Sequence, residues 1–340
     1  MPQSIKTISV EDTNVRLDRY IRRIFPDLRQ SVIEKSLRTG LIKVDDCKAK
    51  SSDRVNSGQI ITVKNLDYIE NTNSDRKYNE RLVDLLRENI LYEDEYILAI
   101  NKPAGVIVQG GVKIKISVSD LLDQIREGET FKIVHRLDRD TSGVIIFARN
   151  ASVARYLMEE FKGRRVKKTY LALTSGIPSK DSGIIDYPLM KKYVSGQEKV
   201  VVDENSPQNA TTHFSIIAKF KLNKPLIQHP VIQVADTGIQ KKRNIDSSVT
   251  RWNDTKLVAY LKLQPITGRT HQLRAHLAHI NCPILGDGKY GGKGAFIDGI
   301  ANKMHLHSYS LSLKLPNNKD ITIGAPLPEH IVESVKVLSL

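Results

Sequence analysis

The sequence has few of the features that would place a protein in an oxidising compartment or a bilayer. It carries only two cysteines in 340 residues, Cys47 and Cys282. Two thiols so far apart in sequence make neither a disulfide framework nor a zinc site. No apolar run approaches the ~20 residues that span a bilayer as a helix. The first residues, Met1-Pro2-Gln3-Ser4-Ile5-Lys6, lack a charged-then-apolar signal pattern. A cytoplasmic protein without membrane contact is the expectation. Internal repeats and long low-complexity segments are also missing. Acidic residues are outnumbered: 38 Asp and Glu face 52 Lys and Arg, a net charge of +14. So basic a chain favours an anionic partner, and without a membrane feature that partner is nucleic acid. Hydrophobic residues make up 40 %, enough for a packed core. The length suggests two domains.

Residues 1–64 read as a separate module. They hold thirteen Lys or Arg and eight Asp or Glu, a net of +5. Leu17, Tyr20, Ile21 and Ile24 recur at helical spacing, with Arg16, Arg19, Arg22 and Arg23 on the other faces. Pro26 stops that helix, because proline lacks the N–H donor and its ring clashes with the preceding turn. A second helix is expected from about Arg29 to Thr39, with Gly40 as its C-terminal cap. Leu41–Val44 and Gln59–Val63 read as short strands. Residues 65–89 are read as a linker; the polar, asparagine-rich stretch 65–80 marks it.

From about Ile90 strands and helices alternate without a regular βαβ repeat. Tyr96–Ile100 is an apolar strand ending in Asn101-Lys102-Pro103-Ala104-Gly105. A second buried strand, Gly143–Ala148, follows the segment His135-Arg136-Leu137-Asp138-Arg139-Asp140-Thr141-Ser142. A loop held between two strands keeps a reactive group rigid. Asn150 is placed to cap a helix over 151–162, with Val153, Leu157 and Phe161 inward and Gly163 beyond its end. Each candidate also has a plain reading. An Asp in such a loop is usually a turn residue, a Tyr in a strand is usually core, and an isolated Arg is usually on the surface.

The motifs taken together are more specific. HRLDRDTSGV at 135–144 resembles the central motif of the RluA-type pseudouridine synthases. NKPAG at 101–105, KKTYLAL at 167–173, TGRTHQLRAH at 267–276 and PILGDGKYG at 283–291 follow in the family's order. HLHSYSL at 305–311 and GAPLP at 324–328 also agree, as do Val108–Gly111 and the SGQEKVVV stretch at 195–202. The segments RLDRYIRRIFPDLRQSVIEKSLRTGLIKV and SGQIITV resemble an S4 RNA-binding domain, departing from it at Gln30 and in the loop from Asp45 to Arg54. The resemblance covers roughly residues 8–64 and 90–328. The stretch from about 223 to 256 is longer than the family's and reads as a loop insertion.

The resemblance implies an α+β fold: a mixed, mostly antiparallel sheet with flanking helices and a central basic cleft, plus a small N-terminal α/β domain. The implied boundaries are 1–64 for the RNA-binding domain, 65–89 for the linker, 90–328 for the catalytic domain and 329–340 for a C-terminal tail. It implies isomerisation of uridine to pseudouridine, in which the C1′–N1 bond breaks and a C1′–C5 bond forms. That net isomerisation needs no redox cofactor, and no cofactor or catalytic metal is expected. The target must leave its RNA stack to be reached. The chemistry then needs an ionised carboxylate as nucleophile, a cation beside it in a dry pocket, and a flat surface for the base. By resemblance these are Asp138, Arg274 and Tyr170, with Tyr170 also a candidate for assisting proton removal at C5. The carboxylate chemistry fits attack at C1′ or at the uracil ring. Arg136 is placed in the space vacated by the flipped base. Arg269, Lys102 and the N-terminal Arg19, Arg22, Arg23 and Arg29 are candidate RNA contacts. The implied substrate is 23S ribosomal RNA or its large-subunit precursor, handled by a monomer. Other rRNA or tRNA sites, a non-catalytic rRNA-binding protein and a base-releasing glycosylase are the alternatives.

Two patterns mislead. Gly286-Asp287-Gly288-Lys289-Tyr290-Gly291 matches G-x-G-x-x-G, but no βαβ unit surrounds it and no acidic residue follows at the required distance. His135-Arg136-Leu137-Asp138 has an extra residue relative to the kinase catalytic loop, and the other kinase motifs are missing.

Overall fold

In the computed structural model the described residues are 5–25, 28, 30–64, 80–110, 117–126, 129–194, 196–222 and 256–340. Pro26, Arg29, Gly111, residues 65–79 and almost all of the 223–256 insertion lie outside them. The chain forms two compact units: residues 1–89 with 107–131, and residues 90–106 with 132–340. The segment 107–131, assigned to the catalytic domain by chain order, therefore groups with the N-terminal unit.

The first unit begins with β1 (Ile5–Ser9), β2 (Val15–Arg16), α1 (Leu17–Ile24) and α2 (Gln30–Thr39). β3 (Ile42–Val44), β4 (Arg54–Val55) and β5 (Ile60–Lys64) follow. β5 lies between β1 and β3, both antiparallel to it, and β2 pairs with β4. Helical spacing puts Leu17, Tyr20 and Ile21 on the inner face of α1, where they pack with Ile33, Leu37, Ile42 and Ile61. Arg19, Arg22 and Arg23 are left on the outside. The presumed linker carries a helix of its own, α3 (Glu80–Glu88), which packs on α4 (Val118–Ile125). A capping box closes the start of α4: the Ser117 backbone N–H donates to Asp120 and the hydroxyl does the same at 2.7 Å.

The second unit is built on one ten-stranded sheet. Its strands are β6 (Ile90–Glu93), β7 (Ile97–Lys102), β8 (Lys132–Ile133), β9 (Ser142–Ala148) and β10 (Lys167–Ser175). β11 (Ser182–Asp186), β14 (Thr211–Leu222), β15 (Lys256–Pro265), β16 (Leu306–Lys314) and β17 (Asp320–Gly324) complete it. The main order is β11-β14-β15-β10-β16-β9-β7-β6, with β17 on β16 and β8 on β9. Among the described residues the strands of this sheet pair antiparallel except β16 with β9. β12 (Leu189–Val194) and β13 (Gln197–Val202) form a separate hairpin. All seven residues of β9 are buried, as its unbroken apolar run anticipates. Val144, Ile146 and Ala148 share a core with Val153 and Leu157 from α5 (Ala151–Lys162) and with Leu311 and Leu313. Burial of each valine, leucine or isoleucine among them contributes about 1.5–3 kcal/mol. Asn150 caps α5 by accepting the Val153 N–H at 2.9 Å. Residues 329–340, read above as a tail, carry α8 (Glu329–Leu338), whose Leu338 packs with Leu173, Val258 and Leu285.

The parallel contact at the sheet centre explains Gly143. Its φ is +108°, and a Cβ there would lie 2.2 Å from the Ser308 carbonyl oxygen on β16. Only glycine lets these backbones approach so closely in that conformation.

Candidate active site

The loop between β8 and β9 is held from several directions. His135, half-buried and neutral, accepts the Ile146 N–H on Nε2 at 3.0 Å and stacks on Phe161. Burial, with the nearby Lys168 charge, pushes its pKa down to about 3. The Asp138 carbonyl accepts from the Thr141 N–H, and the Arg139 carbonyl accepts from the Gly105 N–H. Ser142 Oγ lies 2.9 Å from His307 Nδ1. These bonds fix the turn that presents the Asp138 side chain, which is 28 % exposed.

Lys102 belongs to this scaffold and not to the RNA-facing surface expected of it. It is fully buried, and its Nζ donates to the carbonyls of Pro103, Val106 and Arg139 at 2.9, 2.8 and 2.9 Å. Three acceptors match the three N–H bonds of an ammonium. Burial nevertheless lowers its pKa to about 7, against the pull of Asp140 and Asp138.

Opposite the loop, α6 (Gln272–His279) begins after His271, a left-handed residue with φ +50°. Gln272 uses its whole amide to shape the approach to this helix. Its Oε1 accepts from Thr267 Oγ1 and the Arg269 N–H, and its Nε2 donates to the Thr211 carbonyl and Thr212 Oγ1. One turn on, Arg274 reaches Asp138: Nη1 donates to Oδ2 at 3.3 Å. The rest of the guanidinium is taken by Asp287, with Nε to Oδ2 at 2.6 Å and Nη2 to Oδ1 at 2.9 Å. Asp287 has a side-chain exposure of 1 % and also accepts the Tyr290 N–H. The Tyr290 ring lies under the guanidinium, 4.9 Å from centroid to Cζ. Burial disfavours the Arg274 cation, but the hydrogen bonds and charges of Asp287 and Asp138 outweigh it and raise the pKa.

Asp138, Tyr170 and Arg274 line one cleft of about 110 Å³, together with Arg136, Arg269 and Lys168. Leu273, Leu306 and Pro265 supply its apolar wall. Tyr170 enters from β10. Burial and the Asp138 charge push its phenol up to about 12 despite a hydrogen bond with Ser308, so it stays protonated at neutral pH. Arg136 is exposed at the rim and donates to Thr270 Oγ1 at 3.3 Å. Arg269 donates to the Asn209 carbonyl at 3.3 Å. Asp138 and Arg274 also border a larger concavity of about 650 Å³ with Lys289 and Lys303 on its wall. A carboxylate beside a buried cation, under a rim of arginines and next to an apolar-walled slot, suits covalent chemistry on a flat base attached to a polyanion. Residues 96–279 match the family model described as RNA pseudouridylate synthase.

The chain belongs to that family. The synthase is an isomerase that acts on RNA. It is 35 % identical over 323 residues to the ribosomal large subunit pseudouridine synthase C of Rickettsia bellii, covering 93 % of this chain and 95 % of the relative. The Rickettsia typhi protein of the same name is 32 % identical over 92 % of this chain and 94 % of its own. Among solved structures, human RNA Pseudouridylate Synthase Domain Containing 4 superposes with a TM-score of 0.55 at 26 % identity, over 76 % of this chain and 95 % of that one.

The N-terminal candidates Arg19, Arg22 and Arg23 lie in the first unit, where Arg23 pairs with Asp12. Arg29 lies outside the described residues. Asp287 and Tyr290 lie in GDGKYG, which the sequence presents both as part of a family motif and as an incomplete dinucleotide pattern, with no role for either side chain. It forms only a single helical turn, α7 (Gly288–Gly291), capped by Asp287. The available signal was the pairing of an acid and an aromatic with a buried arginine, which chain order does not display.

Proposed function

We propose that the synthase uses Asp138 as the nucleophile toward a flipped uridine, with Tyr170 against the base and Arg274 as the cation paired with the carboxylate. The bridge from Arg274 to Asp138 inside the Tyr170 cleft carries this reading. The cation beside Asp138 is Arg274, which Asp287 holds by two further hydrogen bonds and so keeps from swinging away. The protonated Tyr170 acts first as a surface for the ring. Arg136 and Arg269 stand at the rim where phosphates or a vacated stack would lie. The substrate is large-subunit ribosomal RNA, in keeping with the ribosomal large subunit that the names of the Rickettsia relatives give, and the work is done by a cytoplasmic monomer. The N-terminal module adds affinity through Arg19 and Arg22, which supply phosphate contacts and set register more than sequence choice.

The test is pseudouridine mapping on RNA from cells lacking the protein, rescued with wild type or Asp138→Asn. The expected result is loss of defined large-subunit sites, restored by wild type only, while purified Asp138→Asn still binds RNA. Turnover by Asp138→Asn at the wild-type rate would remove the nucleophile assignment. Loss of tRNA sites instead would move the substrate. Replacing Arg19 and Arg22 together by Ala should lower the salt slope of RNA binding by roughly one to two, at ~0.7–0.9 per phosphate contact. An unchanged slope would remove them from the interface.

A further inference from the structure

Beside Arg274, a second side chain faces the Asp138 carboxylate. His271 Nε2 lies 3.9 Å from Asp138 Oδ2, and His271 Nδ1 lies 2.8 Å from the Tyr290 hydroxyl. The hydroxyl oxygen is already occupied as an acceptor by the Val200 N–H at 3.1 Å. With that contact made, the hydroxyl proton can be given to Nδ1, 2.8 Å away. Burial raises the Tyr290 pKa, so that proton is present at neutral pH. Burial also lowers the His271 pKa, ahead of the opposing Asp138 charge, which keeps the ring neutral. A neutral imidazole that accepts on Nδ1 carries its hydrogen on Nε2. The groups around the ring are Asp138, Arg274, Asp287, Lys289 and Tyr290.

We propose that the Tyr290 hydroxyl locks His271 in the Nε2–H tautomer, and that this N–H is the second donor that orients the Asp138 carboxylate for attack. His271 is thereby a positioning residue, acting through Asp138. The separation of 3.9 Å is longer than a hydrogen bond and closes when the carboxylate turns toward a bound nucleotide, as active-site bonds do on substrate binding. The left-handed backbone at His271 has a purpose in this arrangement: it aims the ring between Tyr290 and Asp138 from the start of α6. The proposal rests on Asp138 being the nucleophile.

The experiment compares His271→Gln, His271→Asn and His271→Ala in the full-length protein. Single-turnover pseudouridine formation and RNA affinity are measured separately. Glutamine places an amide N–H near the Nε2 position; asparagine is one carbon too short. Asparagine, however, tolerates a left-handed backbone better than glutamine. The positioning role therefore ranks Gln above Asn, with Gln within a few-fold of wild type, Asn and Ala at least ten-fold slower, and RNA affinity unchanged. A purely conformational role ranks Asn first, and that order overturns the proposal. Nitrogen-15 NMR of the histidines in Tyr290→Phe and wild type gives a second readout. A wild-type His271 protonated on Nδ1 would also overturn it. Asp138→Asn runs beside these variants: if it turns over normally, the nucleophile assignment fails, whereas an inactive Asp138→Asn with Asn ranked above Gln defeats the tautomer lock alone.

Discussion

Replacing Asp287 by Asn separates the roles of the buried ion pair. Asp287 and Arg274 have side-chain exposures of 1 % and 10 %, and two of their contacts are at 2.6 and 2.9 Å. Asparagine keeps the volume and one acceptor, but its NH2 faces a guanidinium N–H and the compensating charge is gone. Breaking a buried pair by removing one partner costs about 3–5 kcal/mol, and retention of one acceptor puts this case near 3. For a unit the size of the second one, which holds the pair, each kcal/mol shifts the melting temperature by ~2–4 °C, so a fall of roughly 6–12 °C is expected. Freed from Asp287, Arg274 turns both donors onto Asp138. That clamps the carboxylate and slows single turnover by about ten-fold or more, equivalent to at least ~1.4 kcal/mol of barrier. Thermal unfolding and single-turnover release of the C5 hydrogen from labelled RNA measure the two effects. The double variant Arg274→Met with Asp287→Leu should regain the stability while remaining inactive, because a packed apolar pair replaces a buried ionic one without penalty. A melting temperature within 2 °C of wild type together with normal turnover in Asp287→Asn would refute this account, by showing that the pair neither supports the fold nor restrains Arg274.

Further outcomes follow from the same geometry. His305 and His307 are fully buried with their pKa pushed down to about 4, against 6.5 for a free imidazole. The unfolded chain takes up protons that the folded one refuses, so stability is full above pH 6.5 and falls as pH drops toward 4, by up to ~1.4 kcal/mol per unit per group; urea midpoints across that window should show a shallower fall for His307→Gln. Lys102→Met strands three partly buried carbonyls, at no more than about 1–3 kcal/mol each, so stability and turnover should drop while the salt slope of RNA binding stays put; a reduced slope would return Lys102 to the RNA surface. Gly143→Ala should prevent folding or cost well over the ~1–2 kcal/mol of left-handed strain alone, because its Cβ meets the Ser308 oxygen at 2.2 Å. Gly105→Ala, at φ +88° with nothing within 4 Å, should cost only that strain in a urea titration.

The sequence by itself determined the family and the sheet type, and it named the residues proposed for the site. These are local readings: HRLDRDTSG, KKTYLAL and TGRTHQLRAH are contiguous, and the apolar run after Gly143 announces a strand buried on both faces. The helix of Arg19, Arg22 and Arg23 was also legible, because amphipathic spacing is a local property. Tertiary structure alone decided which charges gather around Asp138 and Arg274. Lys102 reads as a basic residue in an exposed turn until three carbonyls close around it from Pro103, Val106 and Arg139. Asp287 reads as part of a glycine-rich turn until it takes two of the donors of Arg274, thirteen positions away. The grouping of 107–131 with the N-terminal residues, and the packing of Leu338 on the second unit's core, depend likewise on contacts between distant segments. Hydrophobic period and motif spacing record what neighbours along the chain do. Burial and the partner of a charge depend on which distant segments fold together, and no local pattern carries that.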